Sequence, residues 1–443
     1  MNTPIIDFVR SYAEKKPLRF HMPGHKGQGP LGIEELDITE ISGADSLYEA
    51  DGIIRESERN ASELFGCETL YSTEGSSLCI RAMVYLASLY AREQGRKAKI
   101  LAGRNAHKTF LSAVALSDAE VVWMYPSDGD SYLSCSIEPA ELEKRIICEE
   151  PCAVYITSPD YLGNLSDVSA LAQVCHKHGI LLMVDNAHGA YLKFLPSSLH
   201  PTDLGADICC DSAHKTLPCI TGGAYLHITR NAPNLFSEQA RNALSLFGST
   251  SPSYLILQSL DAVNKYISDG YAQKLASLTD KLNECKQALT AYGYTLIGNE
   301  PLKLTVHAKK YGYRGTEIAD ILREKNIEPE FADPDTLVLM IAPENRDYGL
   351  ISLFEALISI PKRPEILTEA PRIAAPVTAV GLRKAMLSPS ERVPVSEALG
   401  RILASASVAC PPAVPITVCG EVIDIAALNA YNYYGIEYVN VIK

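Results

Sequence analysis

Between about residues 60 and 230 the chain alternates two hydrophobic periods. Short, nearly continuous apolar runs occur at K-I-L-A-G (99–103), E-V-V-W-M-Y (120–125), A-V-Y-I-T (153–157), I-L-L-M-V-D (180–185) and A-Y-L-H-I-T (224–229). Runs of that length and continuity are the pattern of strands buried on both faces. Between two of them, S-D-V-S-A-L-A-Q-V-C-H-K-H-G (166–179) repeats apolar residues at Val168, Leu171, Ala172 and Cys175, the stripe of one helix face. Ser166 or Asp167 can cap its start, and Gly179 can sit just past its end. Strand, helix, strand in this order predicts a right-handed crossover and a mostly parallel sheet.

From about residue 253 the character changes. A long helical stretch beginning Y-L-I-L-Q-S-L leads into a shorter α/β set, with strands at 302–306 and 337–342 and a helix over 316–325. I-P-K-R-P-E-I-L-T-E-A-P-R (360–372) reads as a linker. The tail, 373–443, reads as a third unit, with a helix predicted over 393–402 and a proline-bearing apolar segment, A-C-P-P-A-V-P-I-T-V-C-G-E (409–421). The first sixteen residues read as a short amphipathic helix.

Composition narrows the classes. A chain of 443 residues exceeds one ordinary core, and 47% hydrophobic with 21% charged residues is a globular balance. No apolar run approaches the roughly 18–20 residues that span a bilayer, and the N-terminus lacks the basic start and apolar core of a signal peptide. The expectation is a cytoplasmic protein with no membrane partner. Twelve cysteines, several inside apolar runs and none in a C-x-x-C pair, read as reduced core thiols, with no metal site expected. The net charge of −13 argues against a nucleic-acid partner and agrees with a cationic small substrate.

The chemistry gathers around D-S-A-H-K-T-L-P (211–218), which sets Lys215 between two apolar runs. An ammonium there is costly unless it is paired or neutral. Ligands of open α/β sheets bind at the carboxyl ends of the strands, and two other segments bring polar groups to such ends. V-D-N-A-H-G-A (184–190) follows a strand with Asp185, and S-T-E-G-S-S (72–77) is a Gly/Ser turn opening a helix, a ready anion site. Alone, each has an ordinary structural explanation as a cap, a turn residue or a chance His-Lys pair. In order, a phosphate turn, a carboxylate and a lysine 30 residues later are what pyridoxal phosphate needs. The lysine amine must be neutral to form an imine with the cofactor aldehyde, and a carboxylate beside the ring nitrogen keeps the ring an electron sink. His107, in R-N-A-H-K-T (104–109), can cover the free face of the ring or be a satisfied loop histidine.

These motifs, with F-H-M-P-G-H-K-G (20–27), D-I-T-E-I-S-G-A-D-S-L-Y (37–48), S-P-D-Y-L-G (158–163), S-T-S-P-S-Y (249–254) and the 409–421 segment, resemble the short members of the ornithine/lysine/arginine decarboxylase family. The resemblance implies an α/β chain of the aspartate-aminotransferase-like fold, the fold type I of pyridoxal-phosphate enzymes. It implies an N-terminal arm (1–36), a large cofactor-binding domain with a mostly parallel sheet (37–260), a small α/β domain (261–366) and a C-terminal α+β domain (367–443). The large accessory N-terminal domain of the acid-induced members is not expected.

Carried over residue by residue, the resemblance makes Lys215 the imine-forming lysine and Asp185 the partner of the ring nitrogen, with His107 stacked on the ring. Ala187 and His188 would lie beside the cofactor, and Gly75, Ser76, Ser77, Ser212 and His214 would hold its phosphate. Thr250 or Ser251 would reach the phosphate of a neighbouring subunit in a homodimer or larger homo-oligomer with shared sites. His214 is also a candidate for proton transfer near Cα, and Glu421 for meeting the distal cation of the substrate. The implied reaction is α-decarboxylation of arginine, lysine or ornithine to the amine and CO2, as in polyamine biosynthesis. The alternatives are another fold-type-I reaction, aminotransferase or lyase, or a catalytically silent relative with a regulatory role. Four positions depart from the family pattern: Glu74 stands where an Asn is expected, and Cys410, Ala413 and Cys419 replace the usual Tyr, Gly and Pro.

Overall fold

A computed structural model describes residues 1–126, 131–372, 375–406 and 412–443. Seven strands form the main sheet: β1 (Glu68–Ser72), β2 (Lys99–Gly103), β3 (Glu120–Met124), β4 (Ala153–Thr157), β5 (Leu181–Asp185), β6 (Ile208–Asp211) and β7 (Ala224–Ile228). Their order is β1-β7-β6-β5-β4-β2-β3. Helices α1 (Pro4–Glu14), α2 (Ile53–Phe65), α3 (Gly75–Glu93), α4 (Lys108–Ser117), α5 (Pro139–Glu149), α6 (Val168–Lys177) and the one-turn α7 (Ala213–Thr216) alternate with them. The strands expected from apolar runs are all present. β1 and β6 were not predicted, because E-T-L-Y-S is half polar and I-C-C-D is only four residues long.

Strand directions decide where the chemistry can gather. β5 and β6 are parallel, while β7 is antiparallel to both β6 and β1. β1 therefore points the same way as β6, and the sheet is mixed and mostly parallel. The carboxyl ends of β1, β5 and β6 share one edge, so the segments that follow them (72–77, 185–190 and 212–215) start from the same side.

The chain divides into two compact units. The first comprises residues 1–98, 152–155 and 168–273. Within it, α1 starts over a buried acid, because Asp261 Oδ2 accepts the N–H groups of Ile5 (3.0 Å) and Ile6 (3.1 Å). An anion is well placed at a helix start.

The second unit comprises 99–151, 156–167 and 274–443. It holds a four-stranded antiparallel sheet of β8 (Leu296–Ile297), β9 (Lys303–His307), β10 (Phe331–Ala332) and β11 (Thr336–Met340), ordered β10-β11-β9-β8. It also holds a three-stranded sheet in which β14 (Tyr438–Ile442) lies between β12 (Ser390–Pro394) and β13 (Leu403–Ser405). The helix expected over 393–402 is absent. β12 runs through Pro394 and ends in a 3-10 turn, Val395–Glu397. Pro394 has no N–H for a helical ladder but is tolerated at a strand end, and Val393, Val395 and Ala398 pack with Ile416, Ile423 and Tyr431 in the tail core. The eleven described cysteines are free, and Cys410 lies outside the described residues. No described helix is long and apolar enough to cross a membrane.

In this second unit the loop after β2 is bracketed by the tail. Arg104 Nη1 donates to the Pro415 carbonyl (3.0 Å), and Nη2 donates to the Ile416 carbonyl and to Glu421 Oε2 (both 3.0 Å). Lys108 N–H donates to the Ala413 carbonyl (2.8 Å). Arg104 and Glu421 are both buried, at 6% and 0% exposure. Removing one member of a buried ion pair strands the other. Arg104→Met is expected to lower stability by about 3–5 kcal/mol in urea unfolding, whereas a loss below about 1 kcal/mol would mean that the bracket does not hold the tail.

Candidate active site

The site is assembled from the carboxyl ends of β1, β5 and β6 in the first unit. β5 ends on Asp185, which is 2% exposed. Its Oδ2 accepts the Tyr155 hydroxyl (3.0 Å), and its Oδ1 accepts the Ala187 N–H (3.2 Å) and faces the Cys210 thiol (3.9 Å). Burial pushes the Asp185 carboxyl above its usual range, and Lys215 partly offsets that. The Tyr155 hydroxyl is pushed up by burial and then by the nearby Asp185, so it remains a donor.

β6 ends on Asp211, and Ser212 leads into α7, which carries His214 and Lys215. Lys215 Nζ lies 3.0 Å from His188 Nε2, in the turn that follows Asp185. The lysine is therefore held at the acid-bearing turn. His214 is anchored twice to the Gly223 carbonyl, through its N–H (3.2 Å) and through Nδ1 (2.9 Å). A carbonyl only accepts, so Nδ1 carries a proton and Nε2 is the exchangeable position. Burial lowers the pKa of His214, and this favours the neutral ring.

α3 opens at Gly75 with φ +69°, a left-handed conformation that glycine adopts without strain. The Gly75 N–H is taken by the Gly222 carbonyl (2.7 Å), so this amide is not open to an anion. Ser212 Oγ donates to Ser76 Oγ (2.8 Å), joining the 72–77 turn to the lysine segment. Glu74 is exposed and turned aside, with Oε1 accepting the Ser249 N–H (2.5 Å). Thr250 and Ser251 follow in that loop and are exposed.

Two expected site residues belong to the second unit. His107 caps α4, its Nδ1 accepting the Thr109 N–H (3.1 Å), which leaves the proton of the neutral ring on Nε2. Glu421 gives Oε2 to Arg104 and to the Val418 N–H (2.7 Å), while its buried Oε1 has no hydrogen-bond partner among the described residues. Burial raises its pKa and Arg104 counteracts. This unit also holds a cavity of about 700 Å³ lined by Arg104, Tyr125, Tyr132, His307, Lys309 and Asp335.

The first-unit groups fit pyridoxal phosphate. A buried acid with raised proton affinity stands to gain from a protonated ring nitrogen, a lysine amine lies at the same turn, and a helix start with two serine hydroxyls suits a phosphate. Tyr155 and Asn186 were not foreseen. Tyr155 sits within a strand that reads as plain core, and only the register of β4 beside β5 reveals its hydroxyl on Asp185.

The sequence matches the profile described as "Orn/Lys/Arg decarboxylase, major domain" over residues 3–296. It is 30% identical to an arginine decarboxylase of Bacillus subtilis (strain 168), over 95% of this chain and 91% of that one. Among solved structures, the lysine decarboxylase LdcF of Francisella novicida is similar with a TM-score of 0.80 at 16% identity, covering 100% of this chain and 81% of that one. Lysine decarboxylase A of Pseudomonas aeruginosa gives 0.82 at 16% identity, covering 99% and 80%. More distant neighbours of the same fold include an alanine–glyoxylate aminotransferase and a serine palmitoyltransferase. With the profile covering well over half its length, the chain belongs to the Orn/Lys/Arg decarboxylase family of pyridoxal-phosphate-dependent amino-acid decarboxylases.

Proposed function

We propose that the protein decarboxylates a basic amino acid, arginine first among arginine, lysine and ornithine, to the corresponding amine, as a step in polyamine formation. The observation that carries this reading is the Lys215–His188 contact beside the buried Asp185. The relative named as an arginine decarboxylase supports the choice of first substrate. Pyridoxal phosphate, when bound, supplies an electron sink for the bond that breaks between Cα and the carboxylate.

The chain's own residues divide the remaining work. Asp185, held by Tyr155 and the Ala187 amide, keeps a proton on the ring nitrogen, and its burial excludes the water that would compete for it. Ser76, Ser77 and Ser212, with the left-handed turn at Gly75, hold the phosphate. Lys215 would hold the cofactor, with His188 Nε2 3.0 Å from its Nζ to keep the amine at this turn. His214 Nε2, left as the proton-accepting position because Nδ1–H is committed to Gly223, is placed to take up a proton and pass it on to Cα. His107 and Glu421, which the family resemblance assigns to the ring face and to the substrate's distal cation, belong to the second unit, where Glu421 keeps Oε1 without a hydrogen-bond partner among the described residues.

The reading includes a homodimer. Leu18, Phe20 and Leu31 in the N-terminal arm are 87%, 92% and 77% exposed, apolar side chains that a second copy would cover. The exposed Thr250 and Ser251 would then serve the partner's phosphate. Free, mostly buried thiols fit a reducing cytoplasm.

Incubated with pyridoxal phosphate, the protein is expected to develop the visible band of a lysine-bound cofactor and to release CO2 and amine from one of the three amino acids. Lys215→Ala is expected to lose both the band and at least about 10³-fold of the rate. Keto-acid formation in place of CO2 would replace this reading with a transaminase, and a wild type without the band would overturn it. A second test is Phe20→Ser, which is expected to shift the protein to monomer in light scattering; an unchanged mass would remove the arm from the interface.

A third test follows from the acid. The folded, cofactor-free protein holds a proton on Asp185 above the unfolded pKa of about 3.9. Between those two pKa values the folded state binds more protons, so stability falls as pH rises through that window and stays lower above it. Asp185→Asn removes this cost. The cofactor-free variant is expected to be more stable than wild type by about 1–2 kcal/mol near neutral pH, with the gap closing toward about pH 4, while cofactor affinity drops at least about tenfold. Urea unfolding at several pH values measures it, and a less stable variant at neutral pH would refute the assignment of a strained acid.

A further inference from the structure

Behind the site, four residues with no exposed surface form a second polar cluster: Asp211, His200, His227 and Asn186. Asp211 Oδ2 lies 3.0 Å from His200 Nε2 and 3.0 Å from His227 Nε2, and Oδ1 accepts Asn186 Nδ2 at 2.7 Å. Both oxygens of this carboxylate have donors at hand. The protonation of the two rings can be read from their other nitrogens. His200 Nδ1 lies 2.8 Å from the Thr202 hydroxyl and accepts the Thr202 backbone N–H (3.3 Å); the N–H can only donate, so Nδ1 is the bare nitrogen, the hydroxyl donates to it as well, and the ring proton is on Nε2. His227 Nδ1 lies 3.0 Å from Thr69 Oγ1, and that hydroxyl donates to the Cys67 carbonyl (3.3 Å). The oxygen therefore receives a proton from Nδ1, and His227 is an imidazolium. Asp211 is an anion with one charged and one neutral histidine on a single oxygen.

Cys209, His200 and Asp211 present their ligand atoms within 4.8 Å of one another, which is also the spacing of a small divalent-ion site. The protons assigned to both Nε2 atoms leave those nitrogens no lone pair for a metal, and burial pushes the Cys209 thiol far above the range of a thiolate ligand. The cluster holds protons.

What it does follows from where its arms end. Asn186 sits between Asp185 and the turn bearing Ala187 and His188, and the Asn186 carbonyl accepts the Gly189 N–H (2.7 Å) to close that turn. Asp211 is also the residue before Ser212, which starts the segment of His214 and Lys215. Its side chain thus fixes one cofactor-bearing loop and its backbone begins the other. We propose that Asp211, clamped by His200 and His227, is a positioning residue that sets the Asp185–His188 turn through Asn186 and so registers the acid against Lys215.

The inference rests on Asp185 and Lys215 as the cofactor-holding pair, and the experiment separates the two ideas. Wild type, Asp211→Asn, Asn186→Ala and the double variant are compared for cofactor dissociation constant, kcat and KM, with circular dichroism and urea midpoints as controls for folding. Each single variant is expected to weaken cofactor binding about tenfold or more and to lower kcat with KM within about twofold. The double is expected to be no worse than the worse single, because both changes break one path. In the cofactor-free wild type, 15N NMR is expected to show His227 protonated on both nitrogens and His200 on Nε2 alone, with His227 losing its second proton in Asp211→Asn. Wild-type cofactor affinity in the single variants, losses that multiply in the double, or a stoichiometric metal in the purified protein would overturn the proposal. If Asp211→Asn does not fold, Asn186→Ala against His200→Gln carries the same cycle. A wild type that binds no pyridoxal phosphate would instead sink the functional reading, while leaving the NMR assignment of the cluster intact.

Discussion

The structure of the site depends on one unfavourable placement, a carboxylate at the end of a central strand with almost no contact with water. Asp185 has a tyrosine hydroxyl and one backbone amide on its oxygens and little else. Taking an ionised acid out of water costs several kcal/mol unless strong partners replace the solvent. The protein's own replacement is incomplete, and the acid responds by holding its proton more tightly. A protonated ring nitrogen would complete it. The same burial would make the pair strong, since charge-assisted bonds gain in a water-poor environment.

Two features of the chain make that placement possible. The reversal of β7 between β1 and β6 keeps β1 running with β5 and β6, so a phosphate-type helix start, an acid and a lysine emerge from one sheet edge. The bonds between their loops then fix distances that strand geometry alone leaves loose. Ser212 is tied to Ser76, Lys215 to His188, and Asp211 to Asn186. Each of the three loops is bonded to another by a side chain that sits outside the strands.

Much of this was legible in the sequence, and the limits are physical. Continuous apolar runs marked five of the seven strands to within a residue or so, because strands buried on both faces have nothing polar to interrupt them. β1 was missed for the opposite reason: Thr69 faces His227 and Tyr71 bonds to Ser57 and Asn264, so its buried side chains are polar and satisfied by neighbours far along the chain. The tail helix over 393–402 was misread because Val-Pro-Val alternation resembles an amphipathic start until the proline is placed at a strand end. At the site, Lys215, Asp185 and the 72–77 turn stood out as motifs. Tyr155, His200 and His227 did not, since a tyrosine or histidine within an apolar run looks like core until the sheet register shows what its polar atom meets.

The departure at Glu74 shows how geometry resolves a conflict that the sequence poses. A carboxylate at the mouth of a phosphate site would repel a dianion by several kcal/mol at close range in a low dielectric. The side chain instead leaves the turn, sits in solvent, and accepts the Ser249 amide at the start of the loop that carries Thr250 and Ser251. Water screens its charge there, and the charge-assisted bond to a backbone amide holds a loop whose residues 249–251 are exposed. An asparagine at this position could accept the same amide, but more weakly. The acid thus trades a small electrostatic penalty at the cofactor for a firmer hold on the loop from which the resemblance expects a hydroxyl to reach the neighbouring subunit.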